Sequence, residues 1–192
     1  MISIVIPTQG NEAETVATLA ALVPGSAAGM VRDVVLVDRG STGDIAHVAD
    51  VAGCRFLTFE GSRADAIAAG VKLTRGSWLM FLHAGAVLES GWIDETAQFI
   101  ESVGASSHRR AAVFRYARSP YAEGSIGSAT RQIVRAVTGP SADQGLLIAR
   151  DHYDRLGGYP LGTRNAESKL LSKIGRSHRA ILRTRIFVPA EV

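Results

Sequence analysis

Four short apolar runs along the first 82 residues decide what this chain can fold into. They are Ile2-Ser3-Ile4-Val5-Ile6, Asp33-Val34-Val35-Leu36-Val37-Asp38, Cys54 to Phe59 and Ser77 to Leu82. Each is strand length and rich in branched residues. Helical stretches separate them. Asn11 can cap a helix from about Glu12 to Val23, which Pro24-Gly25 ends. The turn Arg39 to Asp44 leads into a helix through about Asp50. Ser62 can cap a helix through about Leu73, closed by Thr74-Arg75-Gly76. The four consecutive apolar residues Val34 to Val37 fit a strand covered on both faces, as in a parallel sheet. Repeated strand–helix–strand units require right-handed crossovers and a doubly wound sheet. Ligands of such sheets sit outside the carboxyl ends of the strands. The segments to watch are therefore Pro7 to Glu12, Asp38 to Thr42, Gly61 to Arg63 and His83 to Ala86.

The second half is less regular. Trp92 to Glu101 reads as helix, Ala111 to Tyr116 as strand and Ser119 to Gly127 as loop. Gly127 to Val137 reads as a basic helix with Arg131 and Arg135 on one face. Gly145 to Ala149 is a short strand and Asp151 to Leu156 a helical turn. Ala166 to Ile174 is a helix ended by Gly175, and Ile181 to Val188 a last strand. At 192 residues, with no repeat or linker, the chain is expected to be one domain. No apolar run spans a bilayer, and no basic-then-apolar leader opens the sequence, so a cytoplasmic location is the expectation. Cys54 is the single cysteine and reads as a small buried residue in a strand. The net charge of +3 comes from arginines of the second half. With 6% aromatic residues and no recognised motif, nucleic acid is not the expected partner. An anionic small ligand, an anionic membrane surface or a plain solvated basic face fit the charge.

The order of motifs is specific. Ile4-Val5-Ile6-Pro7-Thr8 with Asn11-Glu12, then Val35-Leu36-Val37-Asp38-Arg39-Gly40-Ser41-Thr42, resembles the opening of family-2 glycosyltransferases with the GT-A fold. Those enzymes carry an Asp-Gly-Gly-Ser-Thr type turn at the second position. Gly61-Ser62-Arg63-Ala64, Ala69-Gly70 and Arg75-Gly76-Ser77-Trp78-Leu79-Met80-Phe81-Leu82-His83-Ala84 resemble the next block. Asp143-Gln144-Gly145-Leu146, Arg150-Asp151 and Leu156-Gly157-Gly158-Tyr159-Pro160 resemble a block of one bacterial branch. The likeness runs over nearly the whole chain. It implies an α/β, Rossmann-like GT-A sandwich, a mostly parallel central sheet with helices on both faces. Residues 1–90 would form the nucleotide-binding half and 91–192 the acceptor-side half.

The resemblance also implies roles. Pro7, Thr8 and Glu12 would line the base and ribose of a nucleotide-sugar donor. Asp38 would accept a hydrogen bond from the base, and Arg63 would approach the nucleotide. Asp38 also reads as a turn acid and Glu12 as a first-turn acid facing the helix dipole. The Gln9-Gly10 insertion shifts the aim of Glu12. A departing diphosphate needs a divalent cation or fixed cationic donors where its charge develops. Mg²⁺ and Mn²⁺ favour carboxylate oxygen. Where the branch carries His-Ala-Asp, this chain has His83-Ala84-Gly85, so no metal ligand set is assigned. His83 is left as a polar group at the donor. The acidic pair expected before the last helix falls on Thr163 and Arg164. Glu167 is the nearest carboxylate, either a base or a surface acid. Asp143 could position an acceptor hydroxyl or act as base, beside Gln144. Arg63, Arg131, Arg135 or Arg164 could replace a cation, since guanidinium forks match phosphate. The expectation is a transferase with weak or no dependence on Mn²⁺ or Mg²⁺, taking an unidentified acceptor that can be membrane-associated. The alternative is a non-catalytic binding module on the same frame.

Overall fold

The computed structural model describes residues 1–10, 12–41, 43–106, 109–118, 144–162 and 166–188. Their strands form one eight-stranded sheet. The elements are β1 (Ile2–Thr8), α1 (Glu12–Ala27), β2 (Val31–Asp38), α2 (Ile45–Val51), β3 (Arg55–Thr58), α3 (Arg63–Val71), β4 (Trp78–Phe81) and β5 (Val87–Leu88). They continue with α4 (Trp92–Gly104), β6 (Ala111–Arg118), β7 (Leu146–Ala149), α5 (Arg150–Arg155), α6 (Ala166–Ile174) and β8 (Arg179–Val188). The strand order is β3-β2-β1-β4-β7-β6-β8-β5. The first four strands are parallel, and β7 runs antiparallel to β4. The expected α/β sandwich with a mostly parallel centre is what the chain forms.

Strand alternation explains the two cores. On β1, Ile2, Ile4 and Ile6 face one layer and Val5 the other. On β4, Trp78, Met80 and Leu82 join the first layer, while Leu79 and Phe81 join the second. Leu22 of α1 and Trp92 and Phe99 of α4 cover the first face. Ala66 and Ile67 of α3 and Leu170 and Leu171 of α6 cover the second. Val35, Leu36 and Val37 are wholly buried, as strands sandwiched between helix layers must be. Ser3 is a buried polar residue on β1, and its hydroxyl is satisfied by the Gly76 amide at 2.7 Å.

Several boundaries differ from the sequence reading. α1 continues through Pro24 to Ala27. Gly25 lies under Trp92, where a Cβ would sit 2.4 Å from the indole, so tertiary packing carries the helix past its proline. The strand Val87–Leu88 was not expected; it exists by pairing with Phe187 and Ile186 of β8. α3 stops at Val71, two residues short of the expected Leu73, and β8 begins at Arg179 rather than Ile181. The loop 119–127 and the basic helix 127–137 lie outside the described residues. Cys54 is only half-buried and precedes β3 rather than lying buried within it, and its partial burial raises the thiol pKa.

Many arginines of the second half are committed to the fold. Arg150 binds the Gly76 carbonyl and the Thr74 hydroxyl at 2.7 and 2.6 Å. Arg109 and Arg155 share Asp151, and Arg185 forks onto Glu89. Arg183 is tied through its backbone: its amide and that of Thr184 donate to the Glu95 carboxylate, while its side chain is exposed. This engagement lowers the weight of a continuous basic surface for polyanions. No helix among the described residues is long and apolar enough to cross a membrane.

Candidate functional site

The carboxyl ends of β1 and β2 meet at one register position, Thr8 opposite Asp38. The Thr8 hydroxyl lies 3.1 Å from Asp38 Oδ1, and the same oxygen accepts the Ser41 amide at 3.0 Å. Gly40, at φ +91°, turns the backbone so that this amide folds back onto the carboxylate. The backbone of Asp38 is fixed as well: its carbonyl accepts the Phe59 amide at 2.8 Å, and the Arg39 amide donates to Thr8 at 2.9 Å. Burial raises the Asp38 pKa, but the hydrogen bonds from Ser41, Thr8 and Gly40 outweigh it and leave the carboxyl below its ordinary range. The result is an oriented, ionised carboxylate at the end of β2. Pro7 and Thr8 are themselves buried in β1, so Thr8 acts on the site chiefly by holding Asp38.

Glu12 stands at the start of α1, yet its carboxylate accepts the Asp44 amide of the β2–α2 loop. Asp44 in turn caps α2 through the His47 amide at 2.9 Å. A Cβ on Gly43 would lie 2.6 Å from the Glu12 side chain, so loop and carboxylate are in close contact. Glu12 thus ties α1 to the wall of the Asp38 turn.

Two guanidiniums stand across the β2 and β3 ends. Arg39 donates from Nε and Nη2 to the Gly61 carbonyl at 3.2 and 3.1 Å. Burial and then repulsion from Arg63 lower its pKa. Arg63, the first residue of α3, donates from Nε to Glu167 Oε1 of α6 at 2.6 Å. Tyr159 lies buried beside this pair; its phenol pKa is pushed up by burial and by Glu167, and pulled down by Arg63. The Tyr159 ring stands perpendicular to Phe81, 5.2 Å between centroids, at the end of β4.

The His83 turn hangs on α1. The Thr18 hydroxyl lies 3.3 Å from the His83 carbonyl, and the Gly85 amide donates to the Glu14 carbonyl at 2.9 Å. Gly85 takes φ +85°, a left-handed conformation that side chains other than Asn or Asp rarely tolerate. It offers no ligand atom, and no group of three His, Cys, Asp or Glu that could hold a metal ion occurs among the described residues. One imidazole beside a glycine does not fit Mg²⁺ or Mn²⁺.

A sequence model, that of Glycosyl transferase family 2, matches residues 3–140. The chain belongs to that family. Among curated proteins no sequence match was found. Solved structures share the fold. S. aureus TarS (residues 1–349) is 12% identical with a TM-score of 0.72; the match covers 98% of this chain and 60% of that one. Glucosyl-3-phosphoglycerate synthase from Mycobacterium tuberculosis, with Mn²⁺, uridine diphosphate and glucosyl-3-phosphoglycerate, is 16% identical at TM-score 0.68, covering 100% and 73%. A mannosyltransferase from Pyrobaculum calidifontis, with GDP-Man and Mn²⁺, is 16% identical at TM-score 0.65, covering 100% and 55%. The chain spans 55% of the mannosyltransferase and 73% of the synthase. At these identities the likeness shows the GT-A fold.

Within that fold, the structure brings Thr8, Asp38, Arg63 and Glu167 together with Arg39, and places His83 across β1 from them. Gln144 is buried, and its amide donates to the Phe114 carbonyl at 2.9 Å. Asp143 and Arg131 lie outside the described residues. Sequence reasoning passed over Arg39 and Tyr159. Arg39 had a signal: it occupies a glycine position of the turn type that family-2 enzymes carry. Tyr159 had only its place in a Gly-Gly-Tyr-Pro segment.

Proposed function

We propose that this protein is a glycosyltransferase that binds a nucleotide-diphosphate sugar with fixed cationic side chains and little or no dependence on Mn²⁺ or Mg²⁺. The observation that carries the reading is the Thr8–Asp38–Ser41 frame with Arg39 and Arg63 beside it. An oriented carboxylate can accept from a base N–H, and guanidiniums match diphosphate oxygens. Residues 1–90 supply the nucleotide side and residues 91–192 the acceptor side. Pro7, Thr8 and Glu12 shape the wall of the base pocket, His83 contributes at the donor's sugar end, and Gln144 supports the floor. Asp143 and Arg131 belong to the acceptor and diphosphate sides. The acceptor can be held at a membrane surface, with the protein peripheral to it.

The transition state would gain from the arginines what a metal supplies elsewhere, stabilisation of charge on the leaving diphosphate. Gly85 and the pairing of Glu167 with Arg63 favour a second reading, a non-catalytic nucleotide- or sugar-binding module. A thermal-shift series decides first. UDP, GDP, CDP, dTDP and their sugar conjugates are tested with Mn²⁺, Mg²⁺ or chelator. A ligand at about a hundred times its dissociation constant adds about 2.7 kcal/mol, a rise of roughly 5–10 °C for a chain this long. A rise for one nucleotide in chelator is the expected result. No rise with any nucleotide refutes the donor pocket. Binding without sugar transfer or donor hydrolysis selects the second reading.

A further inference from the structure

Arg63 stands where two elements meet, at the start of α3 and against α6. Arg63 is the first residue of α3, where the helix dipole disfavours a cation. Arg39 stands close enough to repel it. Against these, Glu167 supplies one carboxylate, itself favourably set in the first turn of α6. Arg63 and Glu167 are each about three-quarters covered, at 26% and 27% side-chain exposure, so solvent screens them only in part.

We infer that Glu167 is a positioning residue for Arg63, and that the two make a clamp by which the acceptor-side helix α6 sets the donor-side guanidinium against the nucleotide diphosphate. The inference rests on the donor-pocket reading above and assigns Glu167 a role other than the base. A guanidinium has five N–H donors in a rigid fork. The bond to Glu167 uses the one on Nε, and fixing it fixes the plane of the terminal nitrogens. Glu167 Oε1 lies 2.6 Å from Arg63 Nε, so this carboxylate oxygen is engaged by the guanidinium. Tyr159 packs against Phe81 and feels the charge of both members of the pair.

The test is isothermal titration of UDP, GDP and inorganic pyrophosphate into the full chain in chelator, for wild type, Glu167→Gln, Arg63→Ala and the double variant. Lys169→Ala, exposed on the same helix, is the control. Melting curves establish that each variant is folded. Losing a charged hydrogen bond costs about 1.5–3 kcal/mol, so Glu167→Gln should weaken nucleotide and pyrophosphate binding roughly tenfold or more. Arg63→Ala should weaken it at least as much, and the double variant should lose no more than Arg63→Ala alone. Glu167→Asp should restore part of the loss. Nucleotide affinity unchanged in Glu167→Gln, with wild-type binding intact, overturns the clamp alone; lost turnover in the same variant would then mark Glu167 as the base. Wild type binding neither nucleotide nor pyrophosphate overturns the clamp and the donor pocket together. A double variant whose losses simply add also overturns the clamp.

Discussion

Gly70 sets how closely α3, and with it Arg63, approaches the sheet. A Cβ built at Gly70 would lie 2.7 Å from Val37 Cγ2 and 2.8 Å from Val5 Cγ1. Ordinary carbon contacts begin near ~3.5 Å, so the methyl of Gly70→Ala falls short by roughly 0.7–0.8 Å against two neighbours. Neither valine can turn aside: both are fully buried on central strands, and branching at Cβ stiffens them. Overpacking of this kind costs about 1–3 kcal/mol, and the double contact puts Gly70→Ala in the upper half of that range. Against it stands helix propensity, which favours alanine by about 1 kcal/mol. The packing term wins, and Gly70→Ala should lower stability by about 1–2 kcal/mol. The same substitution at Gly104 isolates the propensity term. Gly104 ends α4, and a Cβ there meets nothing within 4 Å. Gly104→Ala should therefore raise stability by up to about 1 kcal/mol. Urea unfolding of the three proteins reads both signs. If Gly70→Ala matches or exceeds wild type, the close approach of α3 is not as described, and the placement of Arg63 loses its support.

Two further outcomes follow from the site. Gly85→Asp puts a carboxylate beside His83 in a left-handed conformation that aspartate tolerates at a cost of about 1 kcal/mol. Nucleotide binding should then become responsive to Mn²⁺, read as a melting shift with Mn²⁺ over chelator that wild type lacks; equal shifts in both proteins would count against the turn as the metal-side wall. Asp38→Asn addresses the β2 carboxylate, whose folded pKa lies below its ordinary 3.8. A depressed carboxyl adds stability above its unfolded pKa and loses it as pH falls through the folded value. The variant should be less stable than wild type near neutral pH, and the gap should close at pH below 3.8. Urea midpoints across that range check the sign, and a gap that widens in acid would refute it.

The layered sheet was legible because its strands carry the burial signal in full. Val34 to Val37 read as doubly covered, and three of those four are wholly buried. The pairing of Thr8 with Asp38 follows once two parallel strands end in the same register. Longer-range facts were not legible. Val87–Leu88 is a strand only because a segment about a hundred residues later lies beside it, and two residues carry no periodicity. Pro24 reads as a helix end by local rules, yet Trp92, far along the chain, seats against Gly25 and keeps the helix going. Arg63 and Glu167 are separated by 104 positions, and no spacing rule connects them. Asp143 and Arg131, both read from resemblance, lie outside the described residues.

The site's charge gives the changes from the family pattern one direction. By resemblance, Gly85 stands where the family carries a metal-side carboxylate. Thr163 and Arg164 stand where an acidic pair is expected, and Arg39 adds a guanidinium to the turn after β2. On the proposed reading, Gly85 and Arg39 would both shift this end of the sheet from holding a cation towards holding an anion. A metal and a diphosphate neutralise one another and can arrive together, so a metal-dependent pocket need carry no excess positive charge of its own. A pocket without the metal must keep that charge in its side chains, and pay for it in repulsion when empty. On the proposed reading, Arg39 and Arg63, held by the Gly61 carbonyl and by Glu167, would supply that charge. Because the charge is built into the chain, nucleotide binding in chelator reads it directly. Raising ionic strength should weaken that binding, since partly exposed guanidiniums are screened where a buried metal–carboxylate set is not.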